Sequence, residues 1–547
     1  MSPPQRPIAT EHDSTVPVVT SEVSAPIPAP TTTELPEPRS WYEVAAQLLF
    51  ARIGSNIPPA VEVPEDRERM LKMVRETPLG GLILFNGPLP ASAHVLEELQ
   101  SESRIPMLIT ADLERGAGQQ LLGATVFPHA MAFNQMGGHA QINIDLAARI
   151  MAREARAAGV HMTFAPVADV NSNPHNPIIS TRAYGDDPDT VTNHIRSFIQ
   201  ACREEYFATT AKHFPGHGDT QRDSHETLAT VDRPRDVLDK IELAPFRAAI
   251  EAGVDAVMTA HVTYPALDSS GLPATASSAI LIDLLRHEMQ FEGAVVSDSL
   301  LMGGIHGVGT TPEEQAVLLI AAGVDMLLDV AEPERVARGI ERAVKDGSLK
   351  ASRLEQAHAR VRAIKAKTIL RKRFEASTVS PTYSALAQAM ARDAITMQAR
   401  GGALLPIPRH VPDEAIAFVL IKPSVWHQDP LVSPLQAALQ QRRGGSTFIE
   451  LNPTSSPADY AQAMERVQGC DYIVACPIVK PSAWHKFGLL DDQTTWLEAL
   501  RDHPGLILAS LGTPVISAAF GDAITSCCTF SDIPASQRAL VDFVLGH

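Results

Sequence analysis

The sequence predicts an α/β protein, a (β/α)8 TIM barrel followed by a smaller C-terminal α/β layered domain. Two observations lead there. From about Ser40, short apolar runs alternate with longer amphipathic ones, and eight such runs precede a break at Val379-Ser-Pro-Thr382. Beyond the break a second, shorter alternating series begins. Strict strand–helix alternation implies parallel strands joined by crossover helices. Eight units over roughly 300 residues fit a closed barrel. A doubly wound open sheet is the competing arrangement.

The elements follow in order. Residues 1–40 are rich in Pro, Thr, Ser and Val. Such a composition cannot bury a core and reads as a disordered tail. The barrel is expected over 41–372, with strands in the apolar runs 46–53, 81–85, 106–111, 161–166, 209–213, 256–261, 294–297 and 324–328. Helices are expected at 65–75, 144–158, 189–203, 235–251, 279–288 and 312–322, with a closing helix over 351–373. The second domain, 373–547, has strand-like runs at 416–421, 446–451, 472–476 and 506–511.

Bulk properties exclude several classes. A formal charge of -17 opposes binding to a nucleic-acid backbone. No apolar stretch is long enough to span a membrane, because runs such as 316–328 are broken by Gly323 and Asp325. The five cysteines, two of them neighbours at Cys527 and Cys528, imply neither a disulfide framework nor a zinc ribbon. No Gly-x-Gly-x-x-Gly opens an early helix, so no dinucleotide is expected, and the reading calls for no cofactor. The N-terminus, Met1-Ser-Pro-Pro-Gln-Arg-Pro, lacks the apolar region of a secretory signal and reads as cytosolic. The tail's likeness to an export linker is the one feature that points to an exported or lipid-anchored form.

In a barrel, functional groups collect at the C-terminal ends of the strands. There this sequence places Asp112-Leu-Glu114-Arg115-Gly116, then Asp169 and Arg182, then Lys212-His213, His261 and Asp298. Pro215, Gly216 and Gly218 force a loop after the fifth run, and it carries Asp223 and His225. A carboxylate two residues from an imidazole can fix its tautomer, leaving the other nitrogen for proton transfer. Alternatively, His225 is an ordinary loop histidine. Asp298 ends a buried run without a cation beside it in sequence, and can act as a nucleophile or as an N-cap. Lys212 and Arg182 are cationic donors for a polar ligand or members of a structural ion pair. His213, His217 and Asp219 could compose a metal set. Against it, the His-x-His that metal-dependent barrel hydrolases commonly place after the first strand is missing, and no metal is expected.

The segment Lys212-His-Phe-Pro-Gly-His-Gly-(Asp-Thr-Gln-Arg)-Asp-Ser-His225 resembles the signature of the β-N-acetylglucosaminidase branch of family 3 glycoside hydrolases. Val126-Phe-Pro-His-Ala-Met131, Phe164-Ala-Pro-Val-Ala-Asp-Val-Asn171, Met258-Thr-Ala-His261 and Ser297-Asp-Ser-Leu300 are similar to that family's segments. The resemblance implies Asp298 as nucleophile and His225 as general acid/base, oriented by Asp223. It implies Lys212, His213, Asp112 and Arg182 as ligands of the sugar in the −1 subsite, with His261 and Met302 lining the pocket. The activity it implies is that of a retaining exo-β-N-acetylhexosaminidase acting on an oligosaccharide or muropeptide. A phosphorylase, a β-glucosidase or β-xylosidase, and a non-enzymatic glycan-binding protein stand as alternatives. One position departs: Glu114-Arg115-Gly116-Ala117 stands where the family usually has Glu-Gly-Gly. The second domain carries no assignable motif. In Pro481-Ser-Ala-Trp484-His485, Trp484 and His485 are either a glycan contact or packing residues.

Overall fold

The computed structural model describes residues 35–220, 227–369, 380–400, 404–426, 429–481 and 487–547. Its first sheet has eight parallel strands. They are β1 (Leu49–Ile53), β2 (Gly81–Leu84), β3 (Leu108–Ala111), β4 (Met162–Thr163), β5 (Thr210–Phe214), β6 (Ala256–Thr259), β7 (Ala294–Ser299) and β8 (Met326–Leu328). Each overlaps one of the eight apolar runs. The hydrogen-bonded order is β4-β3-β2-β1-β8-β7-β6-β5. The remaining seam, between β4 and β5, is closed by separate backbone bonds: Thr163 N to Ala208 O (2.9 Å), Thr210 N to Ala165 O (2.9 Å) and Ala168 N to Lys212 O (2.7 Å). The sheet is therefore a barrel.

Side chains two apart along a strand share a face. Phe50, Leu108, Ala208, Met258, Ala294 and Val296 belong to one buried cluster inside the ring. Val361 and Ile364, from the helix Ala351–Thr368, join it and close the lower end. Stepping by two along the same face from Leu108, Ala208 and Ala294 reaches Asp112, Lys212 and Asp298. The alternation that fills the interior thus aims these polar groups at the mouth. Near the mouth the ladder slips, between Ala211 and Phe214 in β5 and between Val296 and Ser299 in β7. Irregularities of this kind re-aim the side chains they carry.

The crossover helices follow their sequence signals. Pro188–Glu204 begins with Asp187, whose side chain accepts from Asp189 N and Thr190 N, and it buries Val191, Ile195, Phe198 and Cys202 at helical spacing. The helix expected over 235–251 is two, Arg235–Lys240 and Leu243–Glu251. It breaks where the buried Glu242 packs against Gly216.

The second sheet has six strands: β9 (Thr396–Arg400), β10 (Ile416–Ile421), β11 (Thr447–Leu451), β12 (Tyr472–Val479), β13 (Leu506–Gly512) and β14 (Thr525–Cys528). Their order is β9-β14-β13-β12-β10-β11, parallel except that β9 runs against β14. The four expected strands are present. β9 and β14 were not legible, being short and partly polar. Phe418 and Leu420 enter one apolar cluster, Val419 and Ile421 another, so both faces are covered. Cys528 and Phe530 pack into the barrel's own core, as do Ala387 and Met390 of the helix Pro381–Asp393. Most of the expected tail, the end of the closing helix and the boundary at 372–373 lie outside the described residues. Residues 35–40 are structured: Leu35 is buried and its carbonyl accepts from Arg362 Nη2 (3.2 Å).

One buried cation stands in the floor. Lys365 Nζ donates to Gln47 Oε1 (2.6 Å), and burial pulls its pKa down to about 7. The unfolded chain then binds the extra proton from about pH 7 to about pH 10, so this residue makes stability rise with pH across that window. Urea unfolding of the wild type and Lys365→Met should show the difference moving in favour of the wild type from pH 7 to 10. A constant difference would contradict it.

Candidate functional site

A cavity of about 530 Å³ opens at the C-terminal ends of the barrel strands. Phe164, Met258 and Leu328 of the interior border it from below.

Its centre is a buried charge cluster. Lys212 Nζ lies 2.7 Å from Asp112 Oδ1 and 2.7 Å from Glu114 Oε1. Glu114 also receives Arg182 at both oxygens, Nε to Oε2 (3.0 Å) and Nη2 to Oε1 (2.7 Å). Burial would raise the Glu114 pKa, but the Arg182 and Lys212 charges outweigh it and hold this carboxyl well below the usual range. Burial would likewise lower Lys212, yet Asp112 and Glu114 keep its pKa above the ordinary lysine value. The Lys212 side chain is 3% exposed, whereas that of Asp112 is 28% exposed, so Asp112 is the member that presents surface to the cavity.

His213 stands beside this cluster. Its Nε2 is 3.4 Å from Arg182 Nη2, and its Nδ1 is 2.7 Å from Asp169 Oδ2. Asp169 is fully buried and accepts three further bonds, two from His213 N (3.1 and 3.2 Å) and one from His217 N (2.7 Å). Burial opposes its charge, but the histidines prevail and its pKa is lowered. His217 Nδ1 meets Thr220 Oγ1 at 2.7 Å, and burial together with the His213 charge holds its pKa down to about 4. Asp219 pairs with Arg233. The side chains of His213, His217 and Asp219 thus engage Asp169, Thr220 and Arg233 in turn.

These bonds also fix the stem of the loop after β5. Asn176 Nδ2 donates to the His217 and Gly218 carbonyls (both 2.9 Å), and Tyr264 Oη donates to Gly216 O (2.6 Å). Gly218 has to be glycine, because a Cβ there would sit 1.6 Å from Val170 O. Asp223 and His225 follow in 221–226, outside the described residues.

Asp298 borders the cavity from the end of β7, where its Oδ1 accepts from Ser299 N (2.7 Å). It caps no helix: the next helical turn, Gly303–Ile305, is preceded by Met302. Ser299 Oγ donates to Asp329, which binds Arg52 at both oxygens (2.9 and 2.7 Å). Met302 lines the cavity. His261 stands behind the wall instead. It is fully buried, with Nδ1 2.8 Å from Thr275 Oγ1 and Nε2 3.1 Å from the Ser299 carbonyl. Its place corrects the pocket-lining expectation: both ring nitrogens are engaged in the protein, and the ring supports the strand end that carries Asp298.

The second domain supplies part of the wall through Trp426, Lys480 and Pro481. Lys480 pairs with Asp532 (2.7 Å), and His129 of the barrel holds Ser531 Oγ through Nδ1 (2.8 Å). The sequence pattern assigns no role to Trp426, Lys480, Arg52 or Asp329. Glu114 and Arg115 were visible beside Asp112, but Trp426 and Lys480 had no local signal. Trp484 and His485 lie outside the described residues.

A barrel mouth built from fixed carboxylates and cations is of the kind that grips vicinal hydroxyls, the class of carbohydrate-active barrels. The family model described as glycosyl hydrolase family 3 N terminal domain matches residues 43–364, and the chain belongs to that family of glycoside hydrolases. It is 34% identical over 361 residues to a beta-N-acetylglucosaminidase/beta-glucosidase of Cellulomonas fimi, the match spanning 63% of this chain and 63% of that relative's length. It is 30% identical over 468 residues to beta-hexosaminidase A of Pseudoalteromonas piscicida, covering 79% of this chain and 76% of the relative. A solved family 3 beta-N-acetylglucosaminidase from Paenibacillus sp. str. FPU-7 superposes with a TM-score of 0.81 at 29% identity, over 92% of this chain and 96% of that one.

Asp169→Ala removes the acceptor of two backbone amides and one imidazole. It should cost roughly 3–5 kcal/mol at neutral pH, measured by urea unfolding. Because the Asp169 pKa is lowered on folding, its contribution is complete above about pH 4 and fades as the pH falls further. The deficit should therefore shrink in acid.

Proposed function

We propose that the protein is a retaining exo-β-N-acetylhexosaminidase that removes terminal β-linked N-acetylglucosamine from glycans, peptidoglycan fragments among them. The observation that carries this reading is the pairing in one cavity of Asp298 with the Asp112–Glu114–Lys212–Arg182 cluster. The cations of that cluster are matched by their own carboxylates. They can bind hydroxyls while leaving the charge of Asp298 available for attack. The floor is closed by interior side chains, so a sugar enters only from above, which suits a chain end. The names of the Cellulomonas, Pseudoalteromonas and Paenibacillus proteins support the same reading.

In this mechanism Asp298 attacks the anomeric carbon while His225, oriented by Asp223, protonates the departing oxygen. The C–O bond to the leaving group breaks as the bond to Asp298 forms. His225 then takes a proton from water, which displaces Asp298 and releases the sugar. Asp112, Arg182, Lys212 and His213 hold the hydroxyls of the −1 sugar. The Cellulomonas relative's name also includes β-glucosidase, which gives a second reading: cleavage of sugars lacking the 2-acetamido group.

Asp298→Ala should lower kcat on an aryl β-N-acetylglucosaminide by roughly 10⁴-fold or more, and near-normal turnover would refute the nucleophile assignment. His225→Ala should lose about 10²- to 10⁴-fold on substrates with poor leaving groups and much less on activated aryl glycosides. Equal losses would remove its acid role. Aryl substrates with and without the acetamido group separate the two sugar preferences. In phosphate buffer, formation of the free sugar rather than its 1-phosphate identifies water as the acceptor.

A further inference from the structure

We infer that Arg115 and Lys480, brought to one side of the cavity mouth by two different domains, form a subsite for a carboxylate on the leaving group of the substrate. The inference rests on the activity proposed above and specifies the leaving group that activity prefers.

The other lysine and arginine side chains bordering the cavity are matched. Lys212 and Arg182 face Asp112 and Glu114, and Arg52 is paired at both oxygens of Asp329. On the Arg115 side the balance differs. Lys480 has Asp532 at 2.7 Å. Arg115 makes no ion pair with a described residue, although its backbone is pinned, N to Gln119 Oε1 (2.9 Å) and O from Phe127 N (2.8 Å). Asp532 is thus one carboxylate before two cations. Burial opposes its charge, but the Lys480 ammonium, with the Arg115 guanidinium beyond it, holds its pKa below the usual range. His129 adds no positive charge of its own, since burial and Arg115 push its pKa well down. One positive charge is therefore left over, partly exposed and bordering the cavity.

Position assigns that charge to the leaving group. The −1 sugar is claimed by the cluster over the barrel floor, which leaves the upper wall for whatever is attached to it. Trp426 also borders the cavity, and an indole is a surface on which a second sugar or an aryl group can pack. A guanidinium binds a carboxylate in a two-pronged geometry, and the ammonium adds a point charge. The arrangement needs both domains: the His129–Ser531 contact holds the second domain against the barrel beside Arg115.

The test is a matched pair of substrates, 4-carboxyphenyl and 4-carbamoylphenyl β-N-acetylglucosaminide, with kcat/KM measured on the full chain. The ratio of the two cancels general damage. Arg115→Met and Lys480→Met should each lower the charged-to-neutral ratio roughly tenfold or more, mainly through KM. In the wild type the same ratio should fall as ionic strength rises above about 0.1 M. Ratios within about twofold of wild type in both variants, or a wild-type ratio indifferent to salt, would overturn the subsite. The salt profile needs no variant, so poor folding of Arg115→Met leaves the question decidable. Turnover of neither substrate by the intact enzyme would refute the proposed activity itself.

Discussion

An ammonium group at the barrel mouth, Lys212 Nζ, is almost wholly withdrawn from water, and the site is arranged around keeping it charged. A lone buried cation would lose its proton or unfold its surroundings. Two carboxylates from the β3 loop meet it, and one of them, Glu114, also binds Arg182 from the turn Ser180–Arg182. Arg182 reaches His213, His213 reaches Asp169, and Asp169 receives the backbone of the loop stem at His217. Four separate stretches of chain are held by one continuous run of charge-assisted bonds. None can shift alone without stranding a buried charge. This is how groups far apart in sequence keep fixed positions around a small ligand.

Much of this architecture was legible. The eight apolar runs became the eight barrel strands because burial on both faces demands continuous apolar sequence. The phase of Asp112, Lys212 and Asp298 followed from the same alternation. The rest depends on distance in space rather than on pattern in sequence. Nothing local tells Glu114 that it will serve two cations, or His261 that both its nitrogens will be taken inside the protein. The split of the 235–251 helix depends on Glu242 meeting Gly216. β9 and β14 are short, and their apolar character comes partly from cysteine and threonine. Trp426 and Lys480 carry no sequence mark of membership in a site centred on the barrel. The roles of Asp223 and His225 rest on the family motif.

The second domain is more than an appendage. Its sheet has its own two-sided core, yet Cys528 and Phe530 belong to the core of the barrel. The helix Pro381–Asp393 packs with the helix Pro534–Leu545 on one side and touches the barrel helix Ala140–Ala157 on the other. The interface resembles a protein interior, with apolar side chains of both domains in one buried cluster.

That shared wall bears on how the protein is made. The barrel strands and the Lys212 cluster leave the ribosome first, whereas Trp426, Lys480 and the Ser531–Asp532 turn come more than two hundred residues after Lys212. Until those later segments dock, the cavity lacks the part of its wall that Trp426, Lys480 and Pro481 supply. The order of synthesis thus places completion of the binding chamber after the barrel residues have emerged, when the second domain follows.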